Sequence, residues 1–392
     1  MAWYLPAAAI CLLAASGSRA AGPARGLGPP IRHVFVITLE NTSFASSFGD
    51  PASDPYLATT LPARGALLTQ YYATGHYSLD NYIAEVSGQA PNPATSADCG
   101  TYTGFDLAPA HARRPTITRD GQVLGSGCVY PKFVDTIGNQ LTKAHLGWKA
   151  YEEDMGRMPR RDGIVRGPQG PACGHPHSLG DADATTTPDA TDGYATRHDP
   201  FVYFQAVIAS RAYCAAHVVS LAPLGRDLRS ARTTPAYSFI TPNTCHDGHD
   251  NPCANGQPGG LSQIDAFLSH WVPTIMASPA YRQGGLIAIT FDEAASQQTQ
   301  ACCGERTAAR VADPTHPDMA KPGISGPGGG RVGAVLLSPF IRGGTRSPVP
   351  YNHYSLLRSI EQVFGLRYLG DAAAPGVRAF GRDVYTNWRG HS

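Results

Sequence analysis

The stretch His33-Val-Phe-Val-Ile-Thr-Leu-Glu-Asn41 decides how this chain is read. A short, continuous run of β-branched and apolar residues marks a strand buried on both faces, and such strands build parallel sheets. Glu40-Asn41 follows that run without a spacer. The pattern returns far along the chain, where Gly285-Leu-Ile-Ala-Ile-Thr-Phe291 leads straight into Asp292-Glu293. Open parallel sheets bind ligands at the carboxyl ends of their strands. Three carboxylates and an amide gathered there repel one another unless a cation holds them, and hard divalent cations take such oxygens. Glu40, Asn41, Asp292 and Glu293 are therefore the candidate metal ligands. Ca²⁺, Mg²⁺ and Mn²⁺ are the candidate ions for one divalent site. A single such strand end would read as an ordinary polar turn; two together read as a site.

The rest of the chain alternates helical and strand patterns. Helices are predicted over 57–68, over 81–87 with Gly88 as the stop, over 136–144, over 200–217, over 261–276 and over 354–364. Strands are predicted over 146–151, 236–241 and 332–337. The helix over 261–276 places Ile264, Phe267, Leu268 and Trp271 on one face. This alternation predicts an α/β fold with a mostly parallel central sheet and helices on both faces, in a single domain over residues 32–392. Segments 99–127 and 157–196 carry no period and read as loops, where specificity tends to reside.

Composition narrows the function classes. The 392 residues carry a formal net charge of +1, and no basic run exceeds two residues. That leaves no electrostatic footprint for nucleic acid. Residues 1–21 read as a secretory signal with the apolar core Leu5–Ala15, which is too short to span a bilayer. The missing Lys or Arg ahead of that core leaves an uncleaved anchor as the rival reading. Residues 22–31 read as a Gly/Pro linker. With Cys11 in the signal, eight of the nine cysteines remain. An even number in an exported chain reads as disulfides, and sequence neighbours pair as Cys99–Cys128, Cys173–Cys214 and Cys245–Cys253. Cys302 and Cys303 form either one vicinal bridge or two separate ones. The expected location is extracellular or at the cell surface, with no stable membrane span after signal removal.

Several residues outside the strand ends bear chemistry. His76 stands among Gly75 and short polar residues, and suits a donor to a phosphoryl or carbonyl oxygen. Asp199-Pro200 is explained as a helix cap, which leaves His198 unexplained. The stretch Thr244-Cys-His-Asp-Gly-His-Asp-Asn-Pro-Cys253 reads as a disulfide-closed loop presenting His249, with a small zinc knuckle as the rival. Thr136 opens a helix, where N–H groups and the helix dipole favour an anion. Gly328-Gly-Gly330 lacks the Lys-Ser/Thr of a phosphate-binding P-loop.

Taken in order, ENTSFASSFG (40–49), HYSLDNYIAEVSG (76–88), RHDPFVYF (197–204), SFITPNTCHDGHD (238–250), ITFDE (289–293), GGRVGAVLLSPFI (329–341) and YNHYSLLRSIE (351–361) resemble one family. It is the phosphoesterase family of bacterial secreted acid phosphatases and phospholipases C, within the alkaline-phosphatase-like superfamily. The resemblance runs from Arg32 to Leu369. It implies an alkaline-phosphatase-like three-layer sandwich, with the metal held by Glu40, Asn41, Asp292 and Glu293. It makes Thr136 the nucleophile, through a phosphothreonine intermediate, and sets His76, His198 and His249 around the phosphoryl group. Relatives carry Asp-His-Tyr where this chain has Ala45-Ser46-Ser47, which alters the mouth of the site. The implied activity is metal-dependent hydrolysis of phosphomonoesters, phosphoinositide or other lipid head groups included. A phospholipase C-type diesterase and a non-catalytic binding protein are the rivals; the absence of a further carboxyl-terminal domain favours the phosphatase.

Overall fold

The computed structural model describes Met1 and residues 28–108, 117–118, 121–295, 298–303 and 328–389. The expected signal segment, apart from Met1, and the linker as far as residue 27 lie outside the described residues.

Ten strands form one sheet. In chain order they are β1 (His33–Leu39), β2 (Ala66–Leu68), β3 (Trp148–Glu152), β4 (Val165–Gly167), β5 (Gly170–Ala172), β6 (Val218–Ser220), β7 (Tyr237–Thr241), β8 (Gly285–Phe291), β9 (Ala334–Leu337) and β10 (Thr345–Ser347). Their order across the sheet is β10-β2-β9-β8-β1-β7-β3-β6-β5-β4. The central run β8-β1-β7-β3-β6 is parallel throughout. Every residue of β1 and of β8 is buried, as their unbroken apolar character requires. Removing side chains such as Phe35, Val36, Ile37 and Leu39 from water contributes about 1.5–3 kcal/mol each.

The main helices are α1 (Ser78–Ser87), α2 (Ile137–Lys143), α3 (Leu261–Ala277) and α4 (His353–Phe364). α1, α2 and α4 pack on one another. Thr38 Oγ1 of β1 donates to Glu85 Oε2 of α1 at 2.8 Å, which fixes this layer to the sheet. α3 belongs to a second group with the helical segment that starts at Tyr56: the Asp265 carboxylate accepts from the N–H of Tyr56 and of Leu57. α1 ends where Gly88 takes φ +69, a left-handed stop that suits glycine. The result is the expected three-layer α/β sandwich.

Four expectations about elements change. The strand predicted over 332–337 runs antiparallel to β8 rather than parallel. The helix predicted over 57–68 gives way after Arg64 to β2, because Gly65 lies against the backbone of β9: a Cβ there would meet Leu336 O at 2.1 Å. The helix predicted over 200–217 is three short pieces, Pro200–Tyr203, Gln205–Ile208 and Arg211–His217. It breaks at Phe204 because the backbone of Tyr130 bonds both to Tyr203 O and to Gln205 N–H. The segment 157–196 also holds more than loop, since β4 and β5 extend the sheet from it.

The four disulfides are Cys99–Cys128, Cys173–Cys214, Cys245–Cys253 and the vicinal Cys302–Cys303. The bridge across 245–253 removes the zinc-knuckle reading, because both thiols are consumed.

Candidate functional site

The site follows from register. Leu39 of β1 lies opposite Phe291 of β8, so Glu40 and Asp292 leave the sheet side by side. Asp292 N–H donates to Leu39 O at 2.8 Å, and the charge of Asp292 acts on the Glu40 carboxyl group. On the other side of β1, the chain leaving β7 folds back through the disulfide-closed loop. Glu40 N–H donates to Asp247 O at 2.9 Å and draws that loop over the strand end. His198, in the turn Thr196–His198, completes the group. Its ring stacks on Tyr82 of α1 at 5.3 Å between centroids, inclined by 7°.

Glu40, His198 and Asp247 each place one ligand atom within 4.8 Å of the others, and all three are buried. His198 Nδ1 lies 3.0 Å from Asp247 Oδ2, and with Asp247 ionised the ring proton sits on Nδ1. The lone pair of Nε2 then faces Glu40 Oε1 across 3.3 Å. Neither of these atoms has a hydrogen-bond partner, and neither does the sealed Asp292 Oδ2. Electron-rich atoms that face one another inside a protein need a proton or a cation between them. Glu40 is pushed well above the usual carboxylate range by burial, by Asp292 and by Asp247. Burial likewise lifts Asp292, to about 6. Burial also holds His198 well below the usual imidazole range, which keeps it neutral, as a metal ligand must be. The donor set is oxygen-rich with one imidazole and fits a divalent ion.

The sequence-predicted residues divide. Glu40, Asp292 and His198 meet in this group. Asn41 takes φ +54 and is exposed; its backbone N–H holds Asp292 Oδ1 at 2.8 Å and its amide holds Glu40 Oε2 at 2.7 Å, so it braces both acids. Glu293 pairs with His76 instead, Oε2 to Nδ1 at 3.1 Å. The other ring nitrogen of His76 donates to Gln298 O at 2.8 Å, so protein groups occupy both. Burial, reinforced by Asp292, lifts Glu293 to about 10, and burial lowers His76. The pair is therefore neutral, with the carboxyl proton donated to Nδ1. His249 stands at the rim: its Nδ1 donates to Asp250 Oδ1 at 2.8 Å, and its Nε2 accepts from Arg197 at 3.0 Å.

Thr136 is not joined to this group. It caps α2, with its Oγ1 bonded to Asn139 Oδ1 at 2.9 Å and the Asn139 side chain returning to the Thr136 N–H. Its neighbour Asp135 lines a hollow with Gln89 and Gly370, beyond the carboxyl end of α1. The hydroxyl at the candidate metal group is that of Ser78, at the opposite end of α1. Ten helical residues put about 15 Å between those ends. Ser78 Oγ donates to Glu40 Oε2 at 2.9 Å from the first turn of that helix.

Sequence reasoning missed Ser78, Asp247 and Arg197. Ser78 had a signal: α1 starts three residues earlier than its apolar pattern, and a serine in the first turn after a loop histidine is a candidate for both cap and chemistry. Asp247 sat in plain view between two histidines that drew the attention.

Comparison with known proteins follows the same line. The family model described as "Phosphoesterase family" matches residues 51–367, a range that holds Ser78, His198, Asp247 and Asp292. A probable acid phosphatase of Kluyveromyces lactis is 22% identical over 346 residues, 88% of this chain and 60% of that protein. A phosphate-repressible acid phosphatase of Penicillium chrysogenum is 24% identical over 355 residues, 90% of this chain and 64% of that protein. The chain thus spans less than two thirds of these two relatives. A phosphatidylinositol-3-phosphatase of Mycobacterium tuberculosis is 23% identical over 350 residues, 89% of this chain and 82% of that protein. Among solved structures, a protein in the alkaline phosphatase superfamily from Vibrio parahaemolyticus is similar with a TM-score of 0.47 and 13% identity, covering 93% of this chain and 74% of that one.

Proposed function

Because the chain belongs to the phosphoesterase family, we propose that it is a phosphoric ester hydrolase that cleaves phosphomonoesters with the help of one divalent ion. The observation that carries the proposal is the buried hydroxyl of Ser78 bonded to Glu40, beside ligand atoms of Glu40, His198 and Asp292 that have no protein partner. Glu40, His198 and Asp247, with Asp292 beside them, would hold the ion. When bound, such an ion supplies positive charge that acidifies a hydroxyl and stabilises charge on phosphoryl oxygens.

The residues of the chain do the rest. Glu40 orients the Ser78 hydroxyl and lies on the path of its proton. The amino-terminal end of α1 turns N–H groups and the positive end of its dipole toward an incoming phosphoryl group. Attack forms a bond from Ser78 oxygen to phosphorus as the ester oxygen departs; water then releases phosphate and restores the serine. Asp247 fixes the orientation of His198, and Glu293 that of His76. Thr136, the nucleophile implied by family resemblance, is the competing assignment.

A phosphorylated lipid head group is the substrate class we favour, supported by the named activity of the Mycobacterium tuberculosis relative. Export is supported by four disulfides, which persist in oxidising compartments. No helix among the described residues is long and apolar enough to cross a membrane. The test is hydrolysis of 4-nitrophenyl phosphate with and without a chelator. Turnover that vanishes on chelation and returns with Ca²⁺, Mg²⁺ or Mn²⁺ supports the proposal. No turnover with any of the three overturns it.

A further inference from the structure

Arg197 is a buried cation with no carboxylate ion-pair partner among the described residues. It is 7% exposed, and its charge acts on Glu40, Asp98 and Asp247. Yet among the described residues its one side-chain hydrogen bond is that from Nη2 to His249 Nε2 at 3.0 Å. Its Nε and Nη1 keep some exposure to solvent. The backbone explains the placement. Arg197 and His198 are neighbours in one tight turn, while Asp247 and His249 are two apart on the disulfide-closed loop. His198 meets Asp247, and Arg197 meets His249. One residue of the turn therefore serves the metal group and the next presents a guanidinium beside it.

We propose that Arg197 is the residue that selects phosphate monoesters over diesters. The inference rests on the phosphoesterase reading and adds the substrate class and the residue that sets it. A guanidinium offers a rigid fork of donors that matches two phosphoryl oxygens at once. A monoester above its second pKa, about 6, carries two negative charges, and has three unsubstituted oxygens. A diester carries one charge and has two such oxygens. Arg197 is held by burial and by His249, so little side-chain freedom is lost when it binds. Its electrostatic contribution grows with the charge it meets, and the second charge of a monoester is what an arginine not ion-paired among the described residues rewards.

The experiment compares 4-nitrophenyl phosphate with methyl 4-nitrophenyl phosphate, which keeps the leaving group and drops one charge. The wild type, Arg197→Ala and Arg197→Lys are assayed with the same divalent ion. Arg197→Ala should lower kcat/KM for the monoester by about a hundredfold or more, the usual cost of one preorganised charge-stabilising donor. The diester rate should fall less than about tenfold, so that the monoester preference collapses. Arg197→Lys should restore part of the monoester rate, because it keeps the charge and loses the fork. Inhibition by inorganic phosphate should weaken in parallel, a readout independent of turnover. An equal loss for both esters, or phosphate inhibition unchanged in both variants, overturns the role given to Arg197. A wild type that cleaves neither ester with any ion overturns the phosphoesterase reading itself. Should Arg197→Ala not fold, Arg197→Lys alone decides, since a lysine that leaves the preference intact also overturns the role.

Discussion

Ser78 Oγ donates a 2.9 Å hydrogen bond to Glu40 Oε2, with both residues buried and the serine in the first turn of α1. Thr136, by contrast, spends its hydroxyl on a capping box with Asn139. The two hydroxyls make opposite predictions. Ser78→Ala should lower kcat by about 10³-fold or more, the scale of losing a nucleophile. Its thermal midpoint should stay within a few degrees of the wild type. Thr136→Ala should retain activity and lose about 1 kcal/mol of stability, the usual worth of an amino-terminal cap. Steady-state kinetics and urea unfolding of the two variants decide. A dead but stable Thr136→Ala would return the nucleophile to Thr136.

The lone pair of His198 Nε2 facing Glu40 Oε1 predicts how the fold responds to metal. Without an ion, Glu40, Asp247 and Asp292 crowd one buried space, and Glu40 is pushed well up by burial first and by its two acidic neighbours next. A divalent ion at a hundred times its Kd should add about 2.7 kcal/mol of stability to the wild type. Glu40→Gln keeps the size and one acceptor, and removes a charge. It should abolish that ion-dependent rise while leaving the ion-free protein at least as stable as the wild type. Thermal scans with and without Ca²⁺, Mg²⁺ or Mn²⁺ measure both. An undiminished rise in Glu40→Gln would place the ion elsewhere.

Much of this site was legible because its two central strands are written in an unambiguous code. β1 and β8 are buried on both faces, so each reads as an unbroken apolar run, and an acid set directly after such a run has to emerge at the sheet edge. Adjacency of the two strands was not in the sequence, yet the shared chemistry of their ends pointed to it. The loop contributions were not legible. Asp247 reaches Glu40 only because its carbonyl accepts the Glu40 N–H, a contact between residues 207 positions apart with no periodic trace. Thr136 is ambiguous for a physical reason: a hydroxyl at a helix start serves equally as cap and as nucleophile, and T-x-x-N satisfies the cap outright. The antiparallel course of β9 was hidden too, since an apolar run carries no direction.

The loop that delivers Asp247 and His249 is closed by Cys245–Cys253. A bridge around a loop this short restricts the unfolded chain by about 2–3 kcal/mol. The functional consequence should exceed the stability consequence, because the loop carries Asp247, a proposed ligand of the ion. The Cys245→Ser, Cys253→Ser double variant should need at least tenfold more divalent ion for half-maximal turnover, in line with losses on disturbing groups that orient metal ligands. Its kcat at saturating ion should be less affected. Titration of activity against ion concentration makes the measurement. An unchanged half-saturation point would show that the Glu40 N–H···Asp247 contact holds the loop unaided.

Away from the site, Asp54 and Asp265 share the helical start at Tyr56. The N–H of Leu57 donates to Asp54 Oδ1 at 3.2 Å and to Asp265 Oδ1 at 3.0 Å. Burial, and then the hydrogen bond and charge of Asp265, push Asp54 up to about 9. A folded-state pKa above the unfolded value, about 3.9 for Asp, means that the folded form holds the proton more tightly. This contribution to stability is fully present below the unfolded pKa and is lost as pH rises through the folded one. Between about pH 4 and pH 9, then, the wild type should lose stability from this pair. Asp54→Asn mimics the protonated acid and cannot release a proton. Its urea midpoint should fall less steeply over that range than that of the wild type, and the two curves should lie closest at the acidic end. Parallel curves across the whole range would show that Asp54 is ionised in the folded protein, with the helical start holding both charges.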